Sequence, residues 1–373
     1  MYTDYRASRG NLHVITLKKK FNIRQGTITQ EIKPPEILQK PDEQNHRLIE
    51  ECELYPKKEF TDVILRAHVY PPGYQSVSVL DAGIEISKRQ CGIRVFGQRN
   101  IKIEGGRVSF SSPEPFQKVP LTWEEAYGGH DLHNEDTGDV WDLKNFSESF
   151  NKDLHFLNFN RYRRNPLGKG YLMKLKPEHH GTPLPRVEMA HDLLTPERLQ
   201  SPHYLDWHFQ PIPACFDWRH YNWFPRTAFL AEKLLGKMNE LVPQKPLPEY
   251  VYGYSRQDLF GRLPAHELIM HPRMFNAAHP ALQIPNKKRD LEVTLWHMDP
   301  DISQFKFRIP YKQPQIYLNV PGEKKTYKDK GILSNVIIDM NDKTLTTCWH
   351  CRIRTFYPIS DENKEKISHR VDW

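Results

Sequence analysis

Histidine, cysteine and carboxylate side chains hold metals, move protons or attack carbonyls, and several in this sequence stand at suggestive spacings. His266-Glu267-Leu268-Ile269-Met270-His271 has the look of a two-histidine zinc protease signature. It is one residue too long: at about 3.6 residues per turn, histidines at i and i+5 lie roughly 140° apart instead of on one helix face. Cys348-Trp349-His350-Cys351 contains one Cys-x-x-Cys. In a strand an odd separation turns the two thiols to opposite faces, and no second pair completes a set of ligands. Glu188 and His191 have the spacing of a carboxylate–histidine pair from a di-iron site, which needs two such pairs where this chain has one.

Nucleophile signatures are also incomplete. There is no Gly-x-Ser-x-Gly elbow. Cys215, in Pro213-Ala214-Cys215-Phe216-Asp217-Trp218, reads as a small buried thiol before it reads as half of a Cys–His pair. Gly168-x-Gly170, flanked by Arg161, Arg163, Arg164 and Lys169, has the basic setting of a phosphate cradle but lacks the third glycine and the strand–helix context. His155, His179-His180 and His220 would make a pH-sensitive surface only if the fold gathered them, and nothing in their spacing requires that. Lys18-Lys19-Lys20 reads as a solvated strand end. The chemistry on offer is thus fragmentary. A metal-dependent or Cys/His hydrolase using the histidine-rich middle stays as an alternative, and no metal or cofactor is expected.

Composition narrows the partners. The chain has 373 residues, enough for a large core in one or two domains. Its net charge of +7 comes from 53 basic and 46 acidic residues of interleaved sign, a mild balance that does not call for nucleic acid and suits an acidic protein partner equally well. No window has the apolar length of a membrane span, so no membrane insertion is expected. Met1-Tyr2-Thr3-Asp4-Tyr5 carries an acid where a signal peptide would be basic and then apolar. The five cysteines are too few and too odd for a disulfide framework, so the expectation is a reduced, cytoplasmic protein.

The elements that must position these residues are mostly strands. Thr61-Asp62-Val63-Ile64-Leu65, Val77-Ser78-Val79-Leu80, Ile84-Glu85-Ile86-Ser87-Lys88, residues 93–96 and Ile101-Lys102-Ile103 alternate or run β-branched at short intervals. The last hundred residues repeat the pattern over 291–296, 305–309, 336–339 and 345–353, with Asn341-Asp342-Lys343 as a hairpin turn. Between them, Thr195-Pro196-Glu197 starts a helical turn. Phe229, Leu230, Leu234, Leu235, Met238 and Leu241 mark one face of a helix that Pro243 ends. Residues 130–142 read as a loop anchored by Trp141. The expected fold is mainly β with a smaller helical middle (α+β): antiparallel sheets in sandwich-like halves, 1–188 and 275–373, packed on one core with 189–274 between them.

One stretch organises this reading. It runs from Arg94-Val95-Phe96-Gly97-Gln98-Arg99 through Pro113-Glu114-Pro115-Phe116 to Pro120-Leu121-Thr122-Trp123-Glu124-Glu125-Ala126-Tyr127-Gly128-Gly129. The prolines hold it extended, Thr122 and Glu125 have capping-box spacing, and Gly128-Gly129 suits positive φ. Downstream come Asn165-Pro166-Leu167-Gly168-Lys169-Gly170-Tyr171, Leu184-Pro185-Arg186-Val187-Glu188, Trp223-Phe224-Pro225-Arg226 and Phe275-Asn276-Ala277-Ala278. Read locally, the glycines are turn residues and the aromatics core. Arg94, Arg99, Glu125 and Glu188 are the candidates for a buried arginine–carboxylate clamp between the halves.

In this order the motifs resemble a bacterial family catalogued as domain of unknown function 2169, over residues 33–349. The sequence departs from the pattern at Gln98, Arg289 and through 227–270. The resemblance implies a non-enzymatic adaptor or chaperone of the type VI secretion system, with a secreted toxin effector and a spike-tip protein as partners. It supplies no catalytic residues. Besides the hydrolase, the alternative is a structural component of a contractile injection machine. The diverged segment 227–270 is the expected place for cargo choice.

Overall fold

The computed structural model describes residues 2–7, 10–38, 41–44, 47–55, 58–134, 161–200, 210–220, 223, 226, 275–286, 288–320, 322, 324–355 and 367–373, with side chains from residue 13 onward. Strands dominate it. The larger sheet has seven strands, in the order Tyr2–Ala7, Gly10–Arg24, Thr344–Thr355, Ile332–Asp339, Thr61–Arg66 and Gln283–Ile284, with Thr27–Ile32 paired to the far end of Gly10–Arg24. Its contacts are antiparallel except between Thr61–Arg66 and Ile332–Asp339, where Val63 lies opposite Val336 and Leu65 opposite Ile338. These two strands are buried along almost their whole length, as a parallel pair covered on both faces has to be.

The second sheet has five strands, Val187–Met189, Arg89–Phe96, Val79–Ile86, Leu291–Trp296 and Gln304–Ile309, all antiparallel. Gln304–Ile309 alternates exposed and buried residue by residue, the period-two pattern of a half-buried sheet. Both sheets mix strands from before residue 189 and after residue 275. The main core accordingly draws on both, with Val63, Leu65, Ile84, Ile93, Val293, Phe305, Val336 and Leu345 in it. A smaller cluster of Ile15, Ile316, Leu318, Cys351 and Ile353 involves the three-stranded sheet of Thr326–Lys330, Gln315–Asn319 and Ser368–Asp372.

The fold is mainly β and largely antiparallel, as the alternation predicts. Local expectations need correction. The strand read over 84–88 ends at Ile86, and Ser87 and Lys88, both at positive φ, form the turn into Arg89–Phe96. Thr195 supplies no side-chain cap and is followed by one 3-10 turn, Pro196–Arg198. The Asn341-Asp342-Lys343 turn is present, with Asp339 Oδ1 accepting from the Asn341 and Asp342 amides. The helix expected over 229–241, the segment 227–270, Trp141, His155, His266 and His271 lie outside the described residues.

Candidate functional site

The motif residues converge on one knot beside the five-stranded sheet. Trp123–Glu125 is a single 3-10 turn, and Thr122 is extended without a side-chain cap. The expected capping box is therefore absent. Glu125 turns its carboxylate outward instead, to Lys169 Nζ at 3.1 Å and Arg186 Nε at 3.9 Å. The Trp123 ring is fully buried, donates from Nε1 to the Trp218 carbonyl at 3.0 Å and stands edge-on to Trp223.

Asn165 ties this turn to the second motif. Its Nδ2 donates to the Trp123 carbonyl at 2.7 Å and the Tyr127 carbonyl at 3.1 Å, and its Oδ1 accepts from Leu167 N at 3.2 Å. Pro166 starts the turn that follows, and Tyr127–Gly128 then runs parallel to Lys169–Gly170. The backbones pass so closely that Gly129, at φ +97°, has the Gly168 carbonyl oxygen where a Cβ would stand. Gly128, Gly168 and Gly170 line the same crossing. The glycines fit close backbone approach here, and the crossing holds no space for a phosphate.

The third motif closes the knot. Leu184 N donates to the Arg99 carbonyl at 2.9 Å, and Val187–Met189 pairs with residues 93–95 at the sheet edge. Glu188 forms a buried ion pair through Oε1 with Arg99 Nη2 and accepts Leu194 N through Oε2 at 2.7 Å. Arg99 also donates to the Pro185 carbonyl and lies over the Phe96 ring, 3.7 Å from its centroid. Burial lowers the Arg99 guanidinium to about 10, which leaves it charged at neutral pH. The clamp thus exists, but it joins two stretches of the first half and does not bridge the two halves. Arg94 is no part of it. It pairs with Asp81 on the solvent face of the sheet, at 2.7 Å.

Extended pairing fixes the rest of the stretch. Val77 and Phe116 exchange backbone hydrogen bonds, Val119–Pro120 pairs with His68–Val69, and Leu121 N donates to the Ala67 carbonyl at 3.0 Å. Phe116 and Leu121 are core, and Pro115 is exposed. Gly97 faces the Glu114 carbonyl with no room for a side chain. Asn276 sits elsewhere, as the bolt between the halves. Its Nδ2 donates to Asp62 Oδ1 at 2.9 Å and the Phe60 carbonyl at 3.0 Å, while Ala277 N donates to Asp62 Oδ2 at 2.7 Å.

The chemical candidates separate. Cys348 faces Glu53, with Sγ 3.4 Å from Oε1, whereas Cys351 packs against Ile316 and Leu318 on the other side of the strand. Cys215 is buried against the Leu121 carbonyl, and burial pushes its thiol well above the ordinary value. His191 is exposed while Glu188 is buried. His179 does not form a surface group: it is buried, with Nε2 2.9 Å from Asp131 Oδ1. Among the described residues, no group of three or more His, Cys, Asp or Glu side chains is placed to hold a metal ion.

A polar assembly around the buried Asp217 carries no sequence signal. Asp217 accepts from Arg66 Nε at 3.0 Å and Arg47 Nη2 at 3.1 Å, and Arg66 also pairs with Glu50 at 2.7 Å. Desolvation would lower the Arg66 pKa, but the Asp217 and Glu50 carboxylates outweigh it and raise it. These arginines border a cleft of about 280 Å³ that includes Pro120, Leu121 and Thr122 of the motif stretch. Asp217 lies 151 residues beyond Arg66, so no spacing rule would have grouped it with the arginines.

No curated protein and no solved structure matches the chain. The family described as an uncharacterised protein conserved in bacteria, DUF2169, matches residues 9–350, and the chain belongs to it.

Proposed function

We propose that the chain is a non-enzymatic cytoplasmic adaptor that binds one type VI secretion effector and helps load it onto the spike-tip complex. The observation that carries this reading is how the motif residues are used. Trp123, Asn165, Glu188, Arg99 and the crossing glycines engage other parts of the same chain. Such motifs brace a scaffold, and partner choice then belongs to surfaces outside them. Aromatic and arginine side chains, plentiful here, are the usual anchors of such surfaces. The positive balance of +7 would speed capture of an acidic partner.

The test is affinity capture of the tagged chain from its native bacterium during active secretion. The expected result is retention of a toxin together with a spike-tip protein. Recovery of neither would refute the adaptor reading. Stable presence in the assembled machine without cargo would instead favour a structural component.

A further inference from the structure

A cleft of about 230 Å³ opens beside the parallel strand pair, away from the motif knot, with Lys58, Thr61, Asn286, Lys288, Tyr311 and Arg352 on its walls. Glu59 is its one carboxylate among the described residues. A small hollow of about 20 Å³ adjoins it, shares Lys58, Asn286 and Arg352 with it, and adds His350 and Ser334. That is room for a single oxygen atom.

His350 makes this hollow unusual. It is 5 % exposed, its ring centroid lies 4.2 Å from that of Tyr55 with the two planes tilted by 57°, and its Nε2 has no hydrogen-bond partner. The Glu53 carbonyl takes up the other ring nitrogen. Burial lowers the ring pKa to about 3, so at neutral pH the imidazole is uncharged and Nε2 is a lone-pair acceptor. The neighbouring groups are donors. Lys58 is held by Asp62 at 2.7 Å and by Asn335. The Lys288 ammonium and the Arg352 guanidinium have no carboxylate partner among the described residues. A ligand that satisfies this site must offer acceptor oxygens to the cations and one hydroxyl to the histidine. Sulfate and carboxylate lack that proton.

We propose that this cleft binds hydrogen phosphate, as the free ion or a phosphomonoester. Its P–OH oxygen enters the hollow and donates to His350 Nε2, and its other oxygens accept from Lys58, Lys288 and Arg352. The site is independent of the adaptor assignment.

Titration calorimetry of the full chain at pH 6.5 and constant ionic strength tests it with inorganic phosphate and sulfate as probes. Phosphate is expected to bind at least about tenfold more tightly than sulfate, because a site shaped for a hydroxyl rejects an analogue without one. The surface variants Arg352→Gln and Lys288→Gln are each expected to weaken phosphate by about tenfold. His350→Phe should erase the preference over sulfate. Should that buried variant fail to fold, the comparison of the two anions on the native protein still decides. Methyl phosphate at pH 6 distinguishes the sources: binding as tight as phosphate points to an ester, and markedly weaker binding points to the free ion. Absence of phosphate binding, equal affinity for sulfate, or no effect of the Arg352 and Lys288 substitutions would overturn the proposal.

Discussion

Gly97 and Gly105 illustrate how one residue type carries two different constraints. Gly105 turns a hairpin at φ +55° with open space around it, whereas Gly97 has the Glu114 carbonyl where a methyl would go. Gly97→Ala is therefore expected to cost about 1–3 kcal/mol through backbone displacement. Gly105→Ala is expected to cost about 1 kcal/mol, from φ alone. Urea unfolding of the two variants checks the order, and an equal effect would mean that the Gly97 contact is misjudged. Read locally, Gly97 is a turn residue like any other motif glycine, and the sequence alone does not show how tightly it is packed. Close approach is made by carbonyls from elsewhere in the chain, and nothing local to Phe96-Gly97-Gln98 announces Glu114. Arg94 fails for the same reason. In sequence it is as good a clamp residue as Arg99, but its place on the wet face of the sheet sends it to Asp81.

At the level of elements, strands were legible wherever one face is buried, because alternation encodes the face directly. Gln304–Ile309 and Leu291–Trp296 show it plainly. Turns were legible when their chemistry was local, as at Asp339 to Lys343. They were missed when the residues were unconventional. Ser87 and Lys88 occupy the left-handed region at φ 51° and 70° with no glycine or asparagine between the strands. Each such residue carries roughly 1–2 kcal/mol of strain. Lys88→Gly is expected to raise stability by about 0.5–1 kcal/mol once the added freedom of the unfolded chain is subtracted. Thermal unfolding should show an upward shift, and a fall would mean that the turn has another conformation. The candidate site was the least legible part. Glu53 with Cys348, Asp62 with Asn276, and Asp217 with Arg66 join residues from distant elements that only the sheet topology brings together.

Across the whole molecule the buried histidines set a pH dependence. Desolvation holds His279 well below its ordinary range and lowers His350 to about 3, while the unfolded chain titrates near 6.5. A folded pKa below the unfolded one gives stability that is present above pH 6.5 and lost as the pH falls, because the unfolded state then binds more protons. By pH 5 His350 is expected to cost about 2 kcal/mol, and His279 to add a loss of the same sign. Chemical denaturation at pH 7 and pH 5 should show the loss, and His350→Gln should reduce it. A stability independent of pH over this range would contradict the burial of both rings.

The same scale holds the claim about function. If the motif knot braces a scaffold whose outer surfaces select one effector, removing the protein should silence that effector and nothing else. The direct measurement is the secreted protein profile of the native bacterium with this gene deleted and then restored. The expected result is loss of one toxin from the medium, continued firing with other cargo, and recovery on restoration. Normal export of every effector in the deletion strain would contradict it.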